Sequence, residues 1–298
     1  AGSRNWSSIA GSTDGSKLVA AAWGGKIHTS SDAGANWTER PGAGDRNWLA
    51  VASSADGTKL AALYDWGGYM YTSSDAGATW IARDIPGSHN WTAIASSADG
   101  NKLVAVAKDS TIFTSSDAGA NWTARASSGS RKWSAVASSA DGNKLVATVE
   151  DGTVFTSSDA GANWTARASS GSRKWSAVAS SADGNKLVAT ATGGRIYTST
   201  DAGANWTERA VDGPHNWTAV TISDDGQRLS AVVGGGGHIY TSTDAGANWV
   251  VQTSAGVPNW SSVTGSADGS KVVAVAYGGA IYAASNAPVG PSEEEQKV

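Results

Sequence analysis

The strongest constraint in this 298-residue chain is a tryptophan that returns at 6, 48, 91, 133, 175, 217 and 260, a spacing of 42 or 43 residues held through seven copies. A repeat this short buries its apolar faces only against its neighbours, so the period predicts a ring of small sheets, one per copy. The expected fold class is all-β: a seven-bladed β-propeller of four-stranded antiparallel blades, with the last blade incomplete or irregular in its outer strand. One closed domain is expected over residues 1–286, followed by an acidic tail at 287–298 that carries Glu293, Glu294 and Glu295.

The fourth copy shows the unit. Lys132-Trp133-Ser134-Ala135-Val136-Ala137 runs to Asp141-Gly142, and Leu145-Val146-Ala147 follows. Asp-Gly between short apolar runs marks a hairpin, because glycine accepts positive φ. A second turn at Glu150-Asp151-Gly152 precedes Val154-Phe155, and a third at Ser157–Trp164 precedes Thr165-Ala166-Arg167. Four short strands result, named a to d from the axis outward, with no helical periodicity. Phe occurs twice and Met once against fifteen Trp, so indoles have to fill a core whose strands are otherwise Ala, Ser and Val. The seven repeated Trp at the start of strand a are therefore expected as wedges between blades rather than as ligand platforms.

The third turn fits Ser-x-Asp-x-Gly-x-x-Trp six times, around Asp32, Asp75, Asp117, Asp159, Asp201 and Asp244. It resembles the Asp-box, or bacterial neuraminidase repeat, of sialidase-like propellers, over six of the seven units. The Ser-x-Asp-Gly-x-x-Leu-Val-Ala half of the unit also looks like the inner strands of WD-repeat-like propellers. The Asp-box resemblance implies a structural hairpin on the face opposite the active site, so these Asp are expected as turn residues, neither metal ligands nor acids. It further implies that a sialidase would need three converging arginines, an acid/base carboxylate and a Tyr–Glu nucleophile pair. Here the recurring Arg40, Arg83, Arg125, Arg167 and Arg209 follow the box Trp on the outer strand, and the long insertions that carry catalytic residues are missing. Asp-box propellers also include photosystem assembly factors and sorting receptors, in which an arginine patch or the central funnel binds protein. In the seventh unit Ala284, Asn286, Pro288 and Pro291 replace the box residues, and only five residues precede Trp6. That unit is expected to hold three strands with Ala287–Pro291 at best an irregular fourth, and the ring to close by side-chain packing between blades.

Composition removes several function classes. The net charge is −4 with no basic block, so there is no electrostatic footprint for nucleic acid. No run of eighteen apolar residues is present, so no membrane span is expected. The absence of Cys excludes disulfide, thiolate and zinc–thiolate chemistry. His28, His89, His215 and His238 have no distinctive partners in the sequence, which argues against a metal site and against Ser–His catalysis. No cofactor, no metal and no catalytic residue is expected. The Ala1-Gly2 start points to a secreted or cell-surface protein. The Asn-Trp-Ser/Thr sequons at Asn5, Asn36, Asn90, Asn121, Asn163, Asn205, Asn216 and Asn259 are expected to be part of the repeat rather than glycan acceptors.

Phe113–Thr148 and Phe155–Thr190 are identical, and variation elsewhere concentrates in the b–c and d–a loops. In a propeller these two loops share one face, which is therefore the expected binding face. Its candidate ligand-binding residues are Trp23, Trp66, Tyr69 and Tyr277 of the b–c loops. The d–a loops add Arg46, Asn47, His89, Asn90, Arg131, Arg173, His215 and Asn216, just ahead of a Trp. A sugar needs an aromatic plane for its C–H face and planar donors for its hydroxyls, which Arg or Asn beside Trp supplies. The expected function is a non-catalytic extracellular propeller that binds glycan through this face. The alternative is a scaffold for a protein ligand. A glycoside hydrolase using Glu150, Asp151, Asp109 or Asp65 ranks third. The sequence leaves the oligomeric state open.

Overall fold

A computed structural model of the chain describes residues 2–65 and 67–285. They form an all-β propeller of antiparallel sheets. In unit 4, strands Trp133–Ser138, Leu145–Gly152, Val154–Ser157 and Thr165–Arg167 pair in that order. Units 1, 5 and 6 repeat the pattern, whereas the outer strand of unit 2 runs straight into the inner strand of unit 3 as Ile81–Ser96. One-turn 3-10 helices at Pro41–Ala43, Ala126–Ser128 and Ala168–Ser170 fill d–a links; three residues are too few to leave a periodic signature.

Both faces of each sheet are covered by neighbouring sheets, so strands b and c are buried at consecutive positions, as in Leu18–Ala22 and Val154–Ser157. Small Ala and Val side chains suit sheets packed about 10 Å apart. Each apolar core belongs to two successive units: Val104, Val106 and Ile112 of unit 3 meet Trp133, Val136, Leu145 and Phe155 of unit 4. The same arrangement joins Val273 and Val275 of unit 7 to Trp6, Ile9 and Leu18 of unit 1. All seven repeated indoles are 0–1% exposed, so they are wedges. A bulge follows each of them, with Trp133 opposite Val149 but Ala135 opposite Thr148, and it bends the strand where the indole enters the inter-blade space.

The expectation that side chains alone close the ring needs correction, because the main chain closes it too. At the a–b hairpin end, Thr13 N–H donates to Ala55 O, Ala55 to Ala98, Ala98 to Ala140, Ala140 to Ala182, Ala182 to Asp224, Asp224 to Ala267, and Ala267 back to Thr13, at 2.6–3.0 Å. Each hairpin tip carries one spare donor and one spare acceptor; the next unit accepts from the donor and the preceding unit donates to the acceptor. At the other end Asn5 pairs with Tyr277 and Arg4 with Gly279. The same hairpins are held laterally: Lys144 Nζ donates to Asp183 O and Asn185 Oδ1 of the next unit. Gly184 there has φ +71°, and an added Cβ would lie 2.7 Å from Lys144 Cβ, so both backbone and space require glycine.

Unit 7 contributes Trp260–Gly265, Lys271–Gly279 and Ile281–Ser285. The stretch Ala287–Pro291 and the acidic tail lie outside the described residues.

Candidate functional site

The Ser-x-Asp-x-Gly-x-x-Trp turns share a face with the a–b hairpins, as the Ala160 N–H bond to Asn143 O shows. Asp159 accepts bonds there from the Asn163 backbone (2.9 Å) and amide (2.7 Å) and from Ser157 Oγ (2.7 Å). These donors hold its carboxyl at about 2. Asp32, Asp75, Asp117 and Asp244 are held at about 2 in the same manner, and Asp201 is also lowered. The carboxylates are thus bound by their own turns, and no group of three metal-ligating side chains occurs among the described residues. Four sequon residues, Asn36, Asn121, Asn163 and Asn205, donate their amides to these carboxylates.

On the opposite face the recurring cations are also engaged. Arg131 lies 4.6 Å over Phe155, Arg173 4.3 Å over Tyr197, and Arg46 4.8 Å over Tyr71, whose hydroxyl it also contacts. His89 packs on Phe113 at 4.6 Å and His215 on Tyr240 at 5.2 Å. The strand-c ring in turn meets the wedge edge-on, as Phe155 meets Trp133 at 5.2 Å. A cation or imidazole therefore caps an aromatic that itself caps the tryptophan. Unit 1 departs from this: His28 takes the strand-c position, edge-on to Trp6 at 5.1 Å, buried, with neither ring nitrogen hydrogen-bonded.

The sequence offered no partner for His215, and the structure corrects this. Its Nε2 lies 2.8 Å from Asp212 Oδ1 and 3.0 Å from the Tyr240 hydroxyl, which also donates to Asp212 Oδ1 at 3.0 Å. Burial, then the Asp212 carboxylate, pushes Tyr240 up to about 12. Both partners meet at the same ring nitrogen, so the imidazole does not bridge them through its two nitrogens as a triad histidine would.

Strand alternation decides which loop residues are presented to the axis. In units 2 to 6 the residue two before the wedge shares its side of the strand and caps the stack, whereas Pro258 takes that position in unit 7 and Tyr282 is left 37% exposed. The residues one before and one after face the channel. A depression of about 400 Å³ at this mouth is lined accordingly by Asn90, Lys174, Thr92 and Ser134, and by Asp65, Lys108, Glu150 and Thr192 of the b–c loops. The b–c residue of each unit sits beside the pre-wedge residue of its own unit and of the next: Glu150 N–H donates to Lys132 O, and Glu150 pairs in register with Lys174. Lys108, Lys132, Glu150 and Lys174 thus form one arc across units 3 to 5. Lys108 Nζ lies 3.1 Å from Glu150, and this ammonium, with Lys174 and Lys132 farther off, holds Glu150 below the usual carboxylate range. Across the ring, at the 7/1 junction, Asn5 pairs with Tyr277 and accepts the Trp23 N–H.

Among the sequence candidates, Tyr69 and Tyr277 are 48% and 46% exposed, Trp23 is half-buried, and Asn47, Asn90 and Asn216 are exposed. Trp66 lies outside the described residues. The sequence offers Lys132 and Lys174 as neighbours of Arg131 and Arg173, but the candidate set keeps only the arginines. The signal is present, since Asn5, Asn47, Asn90, Asn216 and Asn259 fill that position in the other five units.

Residues 103–236, less than half of the chain, match the profile of a family described as the DUF6242 beta propeller domain. No curated protein matches the chain in sequence. Among solved structures, the GH74 xyloglucanase from Xanthomonas campestris is similar with a TM-score of 0.78 at 18% identity, over 98% of this chain and 54% of that one. This chain therefore spans about half the length of that enzyme. YCF48 from Cyanidioschyzon merolae gives 0.72 at 18% identity, over 94% of this chain and 95% of its own. YCF48 bound to D1 peptide gives 0.71 at 15%, over 94% and 93%. At these identities the likeness is one of fold.

Proposed function

We propose that this chain is a non-catalytic recognition propeller that holds a polypeptide segment at the mouth of the b–c/d–a face. The observation that carries this reading is where near-identical copies differ. Phe113–Thr148 and Phe155–Thr190 match at every position, yet the six residues after them read VEDGTV at 149–154 and ATGGRI at 191–196. Those segments bring Glu150 and Thr192 to the mouth. The framework and the residues flanking the wedge, Lys132 and Lys174 included, are repeated while the b–c residues at the mouth vary, which is the pattern of a recognition surface on a rigid scaffold.

A polypeptide is favoured over a sugar because the recurring planes of units 2 to 6 are covered, leaving Tyr282 of unit 7 as the exposed strand-c ring. The wedge indoles are buried, and Arg or His lies over the strand-c rings of those five units. A neighbour of the same fold, YCF48, has been solved with a peptide, which supports the suitability of the architecture. A second reading, glycan binding, is favoured by the exposed Tyr277 and Tyr69 rings. Hydrolysis is disfavoured, since a general acid needs a raised pKa and Glu150, one of the two mouth carboxylates beside Asp65, is held low by its ion pair with Lys108. We read the six box turns as a sign of kinship with Asp-box propellers, retained without catalytic insertions.

The test is selection from a displayed peptide library and a glycan array against the full chain, followed by the variant Asp65→Ser/Lys108→Ser/Glu150→Ser/Lys174→Ser. Peptide ligands should emerge and lose at least about tenfold in affinity with the variant. Peptides that bind the variant unchanged would refute the mouth as the site. Array hits abolished by Tyr277→Ala, without peptide hits, would establish the glycan reading instead.

A further inference from the structure

We propose that the arc of units 3 to 5 is a docking site for an acidic polypeptide segment, whose carboxylates seat between Lys132 and Lys174. The inference rests on recognition at the mouth and specifies its chemistry. Three ammonium groups and one carboxylate stand side by side in this arc, and Lys108 already pairs with Glu150 at 3.1 Å. Lys132 and Lys174 have no ion pair among the described residues, and both are exposed. Asp109 and Asp151 of the same loops are offset by Arg131 and Arg173, so the sector keeps a positive excess although the whole chain is negative at −4.

The spacing suits an extended chain. Lys132 and Lys174 flank Glu150 on neighbouring main-chain segments, so their Cα atoms are about 10 Å apart, two inter-strand steps. Acidic residues at i and i+2 of an extended peptide lie about 7 Å apart, within reach of two flexible lysines. Glu150 between them prevents a single anion from collapsing onto both ammonium groups without meeting repulsion, which favours separate carboxylates over one compact dianion. This sector also lacks an exposed ring: Phe155 and Tyr197 are buried beneath Arg131 and Arg173. An acidic polysaccharide would want such a plane beside its carboxylate, so a polypeptide is the better match.

The experiment measures fluorescence anisotropy of labelled hexaglutamate, hexaglutamine and hexagalacturonate with the full chain, from 50 to 500 mM NaCl. Hexaglutamate should bind, weaken as screening shortens the Debye length, and lose about tenfold in affinity in Lys132→Gln/Lys174→Gln. Lys186→Gln, whose ammonium holds the opposite face through Asp225 O, should leave binding unchanged. Absence of hexaglutamate binding, or binding that the double variant does not alter, overturns the proposal. Hexagalacturonate binding in its place, lost in the same variant, assigns the arc to an acidic polysaccharide and overturns the polypeptide occupant. If library-selected ligands at the mouth are neutral and indifferent to the double variant, the acidic docking site fails while recognition at the mouth stands.

Discussion

His28→Phe should stabilise the protein and flatten its response to acid. Six units place Tyr71, Phe113, Phe155, Tyr197, Tyr240 or Tyr282 against their wedge, and only unit 1 uses an imidazole. That ring is 3% exposed, with neither nitrogen in a hydrogen bond of good geometry and only the Lys26 backbone and Glu39 at longer range. A buried polar group left unsatisfied costs about 1–3 kcal/mol, and the slightly larger Phe returns part of any gain as crowding. A net stabilisation of about 1–2 kcal/mol at neutral pH follows, or about 2–4 °C in melting temperature for a domain of this size. Burial first, and then Arg4, lower the His28 pKa, against the weaker opposing pull of the Lys26 backbone and of Glu39, whose carboxylate is 3.7 Å away. The native ring stays neutral where the unfolded ring takes a proton, so stability present above about pH 6.5 is lost as pH falls through the lowered native value. The slope approaches about 1.4 kcal/mol per pH unit within that window. Urea unfolding of parent and variant at pH 7.5 and 5.5 measures both effects, since His89, His215 and His238 are common to the two proteins. A variant less stable at pH 7.5, or an unchanged difference between the two pH values, would refute the reasoning.

Two further comparisons probe the framework. Trp133, Trp175 and Trp217 donate their indole N–H to Ser110, Gly152 and Gly194 carbonyls at 3.0–3.1 Å, whereas Trp6, Trp48 and Trp260 have unpartnered indole nitrogens. Trp→Phe at 133 or 175 should therefore cost about 1 kcal/mol more than at 48 in urea titrations; equal losses would show that the bond contributes nothing. Gly184→Ala should cost about 2–3 kcal/mol, because positive φ and the 2.7 Å approach to Lys144 act together. Gly193→Ala, with φ +66° and open space, should cost only about 1 kcal/mol, and a reversed order in thermal melts would discredit the packing account.

How far the chain could be read before its coordinates depended on whether the information sat in side chains or in the main chain. The Trp period and the Asp-Gly pairs fix the strand order, because apolar period and positive φ are written in residue type. The belt through Thr13, Ala55 and Asp224 was invisible, since its bonds are all backbone and do not depend on the side chain, which is Ala at five positions and Thr or Asp at the other two. At the mouth the right loops were legible and the right phase was not. Arg131 and Arg173 lie on the wedge side of the strand, over Phe155 and Tyr197, while Lys174, one position on, lines the mouth; adjacency in sequence does not tell the two sides apart. The Asp212–His215–Tyr240 cluster escaped because Tyr240 lies 25 residues from His215 and is brought to it by the sheet. The box Asp, by contrast, are bound by their own turns, as local turn chemistry implies.

The bond from Ala267 to Thr13 is chemically the same as the six that precede it. In this belt no junction is privileged, and covalent continuity matters there only for holding the parts at high local concentration. A polymer restarted at another d–a loop, with its present ends joined, would meet the same seven partners in the same order. Genetic rearrangement of such a molecule can move its termini without redrawing its architecture.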